Sequence, residues 1–150
     1  MITLKNIRKS YFVGERELPI LKGIDLEIHR GEFVILMGVS GSGKTTLMNI
    51  IGLLDKQTEG EFHFMGTDVE NLDDESLAGL RNAHIGFVFQ QFFLLPYLSA
   101  IENVLIPIVY SNKEIKHPRD KAKQLLNRFG LGERTHNRPS QLSGGEQQRV

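Results

Sequence analysis

The strongest constraint on the fold is a glycine-rich stretch that lies between an apolar run and a helical pattern. Residues 33–37 (FVILM) form an unbroken apolar run, which is typical of a strand covered on both faces in an α/β protein. Residues 38–45 (GVSGSGKT) match the pattern G-x-x-x-x-G-K-[ST] in full. From residue 47 to residue 54, apolar residues recur at the spacing of an amphipathic helix. The order of strand, glycine loop and helix predicts an α/β fold with a phosphate-binding loop.

The loop residues have the chemistry that a phosphate group requires. Glycines let successive backbone N–H groups turn toward an anion, and the start of the helix adds roughly half a positive charge. Lys44 is expected to reach the β- and γ-phosphates, and the Thr45 hydroxyl to complete the coordination of Mg²⁺. The predicted phosphate-binding residues are Gly38, Val39, Ser40, Gly41, Ser42, Gly43, Lys44, Thr45 and Thr46. A flexible glycine-serine turn is the alternative, and the loop alone leaves kinases, GTPases and ATPases open.

The first part of the chain is rich in strand patterns. Residues 24–28 and 62–64 alternate between apolar and polar side chains, as expected for strands with one wet face. Residues 85–89 form a second apolar strand, which ends at Gln90. A polar helix is expected to begin near Asp73. These patterns predict a sheet core in the first part of the chain.

The later part of the chain is predicted to be helical. Ser99 and Glu102 have the spacing of a capping box at the start of an apolar helix. Pro118 suits the first position of another helix, and Gly130 suits its left-handed stop. The predicted buried stripe of that helix comprises Ala122, Leu125, Leu126 and Phe129. Six basic residues between positions 113 and 128 outnumber two acidic ones and most simply form the solvated face of this helix.

A second glycine motif narrows the function. In residues 142–149 (LSGGEQQR), Ser143 and Glu146 form another capping box, and the paired glycines Gly144 and Gly145 expose backbone N–H groups at a helix start. This stretch resembles the signature sequence of the ATP-binding cassette (ABC) ATPases. The resemblance implies that Ser143, Gly144, Gly145 and Glu146 bind the γ-phosphate of an ATP held by a second subunit. It therefore implies a head-to-tail homodimer that closes on two ATP molecules.

The same resemblance assigns two further residues. Tyr11 lies where the family has an aromatic side chain that stacks on adenine, with Phe12 as the rival. Gln90 resembles the family's Q-loop glutamine, which contacts Mg²⁺ and the attacking water, with Gln91 as the rival. The implied metal ligands are therefore Thr45 and Gln90, and Gln90 is the implied catalytic residue.

The segment after Gln90 is a predicted partner site. It is rich in large apolar side chains, and such a patch marks a partner surface if it is exposed and a core if it is buried. In the family this region receives a coupling helix of the transmembrane permease subunit. The candidate contact residues are Phe92, Phe93, Leu94, Leu95 and Tyr97. The motifs look most like the lipoprotein-releasing and macrolide-exporting branch, which implies an ATPase that couples ATP hydrolysis to transport.

The rival class is a soluble cassette ATPase that acts on DNA or ribosomes. Its members are expected to have basic surfaces and coiled-coil insertions, whereas this chain has 18 basic and 18 acidic residues. No nucleic-acid partner is therefore expected. The five histidines show no metal-ligand spacing, and the chain has no cysteine. No signal peptide or membrane span is visible, so we expect a cytoplasmic chain that is peripheral on the inner face of the cell membrane.

The predicted fold class is α/β, a P-loop NTPase nucleotide-binding domain of the ABC type with a mixed sheet core and a helical subdomain. With 150 residues and 40% hydrophobic side chains, the chain can form one domain or a large piece of one. We expect the sheet core in residues 1–90 and the helical subdomain in residues 91–150. Members of the family continue with an aspartate-glutamate strand and a switch histidine. The domain is therefore expected to be incomplete at its C-terminus, and the 150-residue chain to bind ATP weakly at best without hydrolysing it.

Overall fold

The computed structural model describes residues 1–111 and 114–150, which form two compact units. The first unit comprises Met1–Arg81 and the second Asn82–Val150. In chain order the elements are β1 (Ile2–Val13), β2 (Arg16–Ile28), α1 (Lys44–Ile51), β3 (Glu59–Phe64), β4 (Thr67–Asp68), α2 (Asp74–His84), α3 (Ala100–Val109), α4 (Pro118–Arg128), two short 3-10 helices (Gly132–Arg134 and Pro139–Gln141) and α5 (Gly144–Arg149). This division by compactness does not test the functional division into residues 1–90 and 91–150, which stays a prediction.

The first unit contains a four-stranded antiparallel sheet in the order β2-β1-β3-β4. Ile2 of β1 lies opposite Ile28 of β2 on one side and Phe64 of β3 on the other. In β2, Ile24, Leu26 and Ile28 are half-buried, while the alternate residues are exposed. The predicted strands at 24–28 and 62–64 are therefore confirmed, with the alternation that a sheet with one wet face requires.

The core of the first unit lies between this sheet and α1. The most buried side chains are Leu4 and Ile7 of β1, Ile50 of α1 and Phe62 of β3. Helix α1 is shorter than the apolar spacing predicts, because it ends at Ile51. The last apolar residue of the predicted helix, Leu54, lies beyond this end and is exposed.

Two predicted strands are wrong. Neither residues 33–37 nor residues 85–89 pair with a strand anywhere in the described part of the chain. Their side chains are also largely open to solvent: Phe33 is 88% exposed and Val88 is 89% exposed. A strand requires a neighbouring backbone as well as suitable side chains, and an apolar run reports only the side chains. The helix predicted near Asp73 does form, as α2.

The second unit is helical, as predicted. The Ser99 backbone N donates to Glu102 Oε2 at 2.8 Å, which confirms the capping box at the start of α3. Helix α4 begins at Pro118. The core of this unit comprises Ala100, Ile101, Ala122, Leu126, Leu131 and Leu142.

The buried stripe of α4 is narrower than the sequence predicts. Ala122 and Leu126 are buried four residues apart, but Leu125 and Phe129 are exposed. The sequence predicts four buried residues in this stripe, whereas only the pair Ala122 and Leu126, at i and i+4, packs into the core. The basic residues of this region that the structure describes are exposed, as predicted: Lys116, Arg119, Lys121, Lys123 and Arg128. Lys113 lies outside the described residues.

The end of α4 forms the predicted left-handed stop. Gly130 has φ +74° and its N–H donates to Asn127 O at 3.0 Å. The next N–H, of Leu131, donates to Leu126 O at 2.7 Å. Together these two hydrogen bonds define a Schellman motif. Leu126 and Leu131 are both buried in the core of the second unit. No helix in residues 1–111 or 114–150 is both long and apolar enough to cross a bilayer.

Candidate functional site

The glycine-rich loop leads directly into α1, as the sequence predicts. Residues 38–42 are exposed, and a turn inside the loop is closed by Ser42 N, which donates to Val39 O at 3.3 Å. Helix α1 begins at Lys44, and Gly43 is its N-cap. Thr45 and Thr46 therefore lie in the first turn of the helix, where the unpaired backbone N–H groups and the positive end of the helix dipole are located.

Gly43 must be a glycine for two structural reasons. Its φ is +89°, a conformation that side chains with a Cβ rarely adopt. In addition, a Cβ at this position would lie 2.8 Å from Leu21 Cδ2 and 3.3 Å from Ile20 Cγ2, both in β2. The end of the loop is thus pressed against the sheet, which fixes where α1 begins.

The Lys44 side chain folds back into its own loop. Its Nζ donates to Gly38 O at 2.8 Å and to Val39 O at 2.6 Å, and lies 3.5 Å from Ser42 Oγ. The loop is therefore wrapped around an ammonium group. A phosphate oxygen would bind this ammonium more strongly than the neutral carbonyls do, because its negative charge adds Coulomb attraction to the hydrogen bond.

Tyr11 is connected to the same helix. It lies in β1 and is 40% exposed, and its hydroxyl donates to Asp55 Oδ2 at 2.7 Å, just after the end of α1. The structure thus brings Tyr11 together with the helix that carries the phosphate loop. Phe12 is exposed at the next position of the strand, where side chains point to the opposite face.

Two residues near Tyr11 were not predicted from the sequence. Lys9 Nζ donates to Asp55 Oδ1 at 2.6 Å and lies 4.9 Å from the centroid of the Tyr11 ring. Burial alone would raise the pKa of the Asp55 carboxyl, but the hydrogen bonds from Lys9 and Tyr11 outweigh it and hold that pKa below its usual range. The Asp55 hydrogen bond in turn raises the pKa of the Tyr11 phenol. Lys9 and Asp55 are 46 positions apart, so no local sequence pattern could have joined them.

Gln90 belongs to the second unit, where its side chain is exposed. The carbonyl oxygen just before it, Phe89 O, accepts a hydrogen bond from Gln148 Nε2 of α5 at 3.3 Å. Phe92 and Gly144 also lie close together, because a Cβ placed on Gly144 would lie 3.7 Å from Phe92 Cζ. The structure therefore brings the Gln90 segment and the glycine motif of α5 side by side within the second unit.

The apolar segment after Gln90 is partly buried and partly exposed. Leu94 and Leu95 are half-buried, whereas the three aromatic side chains, Phe92, Phe93 and Tyr97, are exposed. The Phe93 ring packs edge-on against the Phe89 ring, with centroids 5.0 Å apart. We call Phe92, Phe93 and Tyr97 the aromatic patch.

The second capping box is also confirmed. Ser143 N donates to Glu146 Oε2 at 2.7 Å, and Glu146 N donates to Ser143 Oγ at 3.3 Å. The loop before it is held by Gln147, whose Nε2 donates at 3.0 Å to both Pro139 O and Leu142 O. The hydrogen bonds from Ser143 lower the pKa of the Glu146 carboxyl, and Arg134 Nε lies 3.4 Å from its Oε1. The Glu146 carboxylate is thus engaged in starting α5.

Comparison with known protein families shows to which family of nucleotide-binding proteins the chain belongs. The family described as ABC transporter matches residues 21–150. The chain belongs to the ABC transporter family. Its fold is that of an ABC cassette, and the family implies that the cassette binds a nucleotide, as the resemblance of the motifs predicts.

The curated relatives of this ABC chain are macrolide export ATP-binding/permease proteins named MacB. The chain is 54% identical over 152 residues to the protein from Syntrophobacter fumaroxidans and 51% identical over 150 residues to the one from Escherichia coli. Both alignments cover all of this chain but only 21% and 23% of the relatives, so the chain spans about a fifth of their length. These relatives lie in the branch that the sequence motifs predict.

A solved structure gives the same answer for the fold. The ATP-binding cassette MJ0796, in a dimeric post-hydrolysis state bound to ADP and Pi, superposes with a TM-score of 0.88 and 46% sequence identity. The match covers 99% of this chain and 66% of the solved one. A second dimeric structure of the same cassette superposes with a TM-score of 0.87. The predicted ABC-type fold is therefore confirmed.

Proposed function

We propose that this ABC chain binds ATP and Mg²⁺ as part of a transporter ATPase, in which ATP binding and hydrolysis move a substrate through a membrane permease. The observation that carries the proposal is the position of Lys44, whose ammonium lies inside a glycine loop at the start of α1. The names of the relatives, which are ATP-binding/permease proteins, support the transport part.

The phosphate loop fits a triphosphate by its shape and its charge. Gly41 has φ +78° and Gly43 has φ +89°, so the loop curves through conformations that present backbone N–H groups to one side. When ATP binds, Lys44 exchanges the carbonyl oxygens of Gly38 and Val39 for oxygens of the β- and γ-phosphates. The remaining loop residues, from Ser40 to Thr46, surround the phosphates with donors.

Tyr11 is proposed to stack on the adenine base. Its ring is partly exposed on β1, and its hydroxyl is tied to Asp55 beside α1. An aromatic ring stacked on a base contributes about 1–3 kcal/mol. The base and the triphosphate would then both be bound by the first unit of the chain.

Thr45 is proposed as a ligand of Mg²⁺, because its hydroxyl oxygen is a hard ligand of the kind this ion prefers and its side chain is exposed. The family resemblance alone assigns the same role to the amide oxygen of Gln90, whose side chain is also exposed. When bound, the ion neutralises charge on the β- and γ-phosphates. The Gln90 amide can also both donate to and accept from a water molecule, and we propose that it orients the water that attacks the γ-phosphate.

The glycine motif of α5 is proposed to act in a dimer. Ser143, Gly144, Gly145 and Glu146 would face the γ-phosphate of an ATP bound by a second copy, so that two nucleotides join two chains. The dimeric state of the solved cassette with ADP and Pi supports this arrangement. The Glu146 carboxylate contributes by fixing the start of α5, since it already accepts the Ser143 N–H.

The aromatic patch is proposed as the contact surface for the permease, on the cytoplasmic side of the membrane. Phe92, Phe93 and Tyr97 are large, exposed and close in sequence, and such aromatic side chains are enriched in protein interfaces. The half-buried Leu94 and Leu95 hold the segment to the second unit beneath them.

The ATP-binding proposal is tested by titrating the protein with MgATP and comparing it with the variant Lys44→Ala. Loss of charge-assisted hydrogen bonds of about 1.5–3 kcal/mol predicts an affinity that is about 10- to 150-fold weaker. The matched control is Lys5→Ala, which removes an exposed lysine from β1 and should leave the affinity unchanged. Equal affinities of Lys44→Ala and the unchanged protein would overturn the proposal.

The permease contact is tested with Phe93→Ser and Tyr97→Ser. Both should reduce the amount of permease that co-purifies with the protein, while the affinity for MgATP stays the same. Phe129→Ser is the matched control, because it removes an exposed aromatic side chain at the C-cap of α4 in the same unit. If Phe129→Ser reduces permease binding as much as the two patch variants, the aromatic patch is not the contact surface.

A further inference from the structure

A three-residue cluster surrounds the ring of Tyr11. The Tyr11 hydroxyl donates to one oxygen of Asp55 at 2.7 Å, and Lys9 Nζ donates to the other oxygen at 2.6 Å. Lys9 and Tyr11 are two positions apart in β1, and both side chains contact Asp55, so they lie on the same side of the strand. Asp55 therefore connects both of them to the loop that follows α1.

The cluster is held more firmly than an ordinary surface ion pair. The Lys9 and Asp55 side chains are 12% and 27% exposed, so water screens their interaction only in part. Lys9 Nζ also donates to Lys56 O at 2.6 Å. A backbone hydrogen bond lies beside this ion pair: Thr58 N, in the segment after Asp55, donates to Arg8 O of β1 at 2.8 Å.

This arrangement leaves the Tyr11 ring one orientation. The Lys9 ammonium lies 4.9 Å from the ring centroid and covers one face of the ring with a cation–π contact. The hydrogen bond from the hydroxyl to Asp55 fixes the direction of the side chain, because swinging the side chain away would break this charge-assisted bond. Rotation about Cβ–Cγ leaves the hydroxyl oxygen in place, so the plane of the ring is set by the Lys9 contact. A flat ligand can then stack only on the face that Lys9 leaves open.

We propose that Lys9 and Asp55 are positioning residues that hold the Tyr11 ring ready for the nucleobase and so determine how much the base adds to nucleotide affinity. This inference rests on the proposed function, in which Tyr11 stacks on the base. Neither residue contacts the nucleotide. Their contribution comes from preorganisation, because a ring already held in its bound orientation loses less conformational freedom on binding.

The test compares MgATP with magnesium tripolyphosphate, which has the phosphates but no base, by calorimetric titration of the protein. Asp55→Ala, Lys9→Met and Tyr11→Phe should each bind MgATP about three- to tenfold more weakly, a fraction of what full stacking contributes. Tripolyphosphate affinity should stay unchanged in all three. Asp55→Asn keeps an acceptor for the Tyr11 hydroxyl, so it should lose less affinity for MgATP than Asp55→Ala.

A second ion pair in the same strand provides the control. Lys5 Nζ lies 3.4 Å from Glu61 Oε2, and these side chains are 63% and 61% exposed. Lys5→Met and Glu61→Ala should bind both ligands as the unchanged protein does. The double variant Asp55→Ala/Tyr11→Phe should be no weaker than either single variant, because both changes break the same tether.

The outcomes separate this inference from the proposed function. An equal loss for MgATP and tripolyphosphate in Asp55→Ala and Lys9→Met would overturn the positioning role, and so would an unchanged affinity for MgATP. If Lys44→Ala binds both ligands as tightly as the unchanged protein does, the proposed function itself is overturned. Loss of MgATP affinity alone, with rescue by Asp55→Asn, supports the positioning role.

Discussion

The Asn103 side chain binds both backbone groups of Leu95: its Oδ1 accepts from Leu95 N at 2.8 Å, and its Nδ2 donates to Leu95 O at 3.2 Å. The same amide donates to Leu98 O at 3.2 Å and to Ser99 O at 3.0 Å. Asn103 is only 8% exposed. One residue of α3 therefore fixes the end of the apolar segment that carries the aromatic patch.

We expect Asn103→Leu to destabilise the protein strongly. Leucine has a similar size but no polar atoms, so the backbone groups at Leu95 and the carbonyl of Leu98 lose their partner. Each buried polar group that is left unpaired costs about 1–3 kcal/mol, which predicts a free energy of unfolding lower by about 2–4 kcal/mol. Urea unfolding followed by circular dichroism measures this change.

Asn82→Ala is the control for that experiment. Its Nδ2 makes one exposed hydrogen bond to Pro107 O at 2.8 Å. Loss of a single exposed bond should change the free energy of unfolding by no more than about 0.5 kcal/mol. Equal effects of Asn82→Ala and Asn103→Leu would contradict the role of Asn103 as an anchor.

Gly43→Ala should be more destabilising than Gly41→Ala, although both glycines have positive φ. At Gly41 a Cβ would meet open space, so only the backbone cost of about 1–2 kcal/mol applies. At Gly43 the Cβ would also lie 2.8 Å from Leu21 Cδ2, which adds about 1–3 kcal/mol of overpacking. Thermal or urea unfolding of the two variants measures the difference. Equal stabilities would show that Leu21 moves aside at little cost.

The parts of the structure that could be predicted from the sequence depend on contacts between close neighbours in the chain. Both capping boxes join residues three apart, Ser99 with Glu102 and Ser143 with Glu146. The stop at Gly130 is a property of one residue's backbone, and the phosphate loop is a contiguous stretch of sequence. Local chemistry of this kind can be read directly from the residue types and their spacing.

The parts that could not be predicted depend on residues far apart in the chain. The runs at 33–37 and 85–89 are apolar enough for strands, but pairing requires another backbone, which the pattern does not contain. The cluster of Lys9 with Asp55 and the anchoring by Asn103 likewise appear only once the chain is folded. Sequence patterns identified the loop, while the residues that support Tyr11 required the structure.

The capping box of α5 should make stability depend on pH. The hydrogen bonds from Ser143 lower the pKa of Glu146 in the folded state below its value in the unfolded chain. A carboxyl with a lowered pKa stabilises the fold above the unfolded pKa of about 4.3, and this contribution is lost as the pH falls through the folded pKa. Glu146→Gln should therefore flatten the fall in the free energy of unfolding below about pH 5, measured by urea unfolding at a series of pH values.

Arg134→Gln shows which partner causes that dependence. Arg134 lies 3.4 Å from Glu146, but the Ser143 hydrogen bonds are the larger cause of the lowered pKa. We expect Arg134→Gln to keep most of the pH dependence that Glu146→Gln removes. If Arg134→Gln removes as much of it, the ion pair rather than the capping box is responsible.

Tyr11 should ionise at a higher pH than an ordinary tyrosine, and Asp55 should be the reason. The hydrogen bond to Asp55 is the largest cause of the raised pKa of the Tyr11 phenol, followed by burial and by the negative charge of Asp55. Because the folded pKa is raised, this interaction stabilises the fold below the unfolded pKa of about 10, and the contribution is lost as the pH rises through the folded pKa.

The titration of Tyr11 can be followed by tyrosinate absorbance in a background in which the other two tyrosines, Tyr97 and Tyr110, are replaced by phenylalanine. Both are exposed, so their replacement should leave the fold intact. In that background Asp55→Ala should lower the pH at which Tyr11 ionises, whereas Glu61→Ala, at the exposed ion pair of the same sheet, should leave it unchanged. Identical titration curves with and without the Asp55 carboxylate would show that the Tyr11 hydroxyl is not tethered in solution.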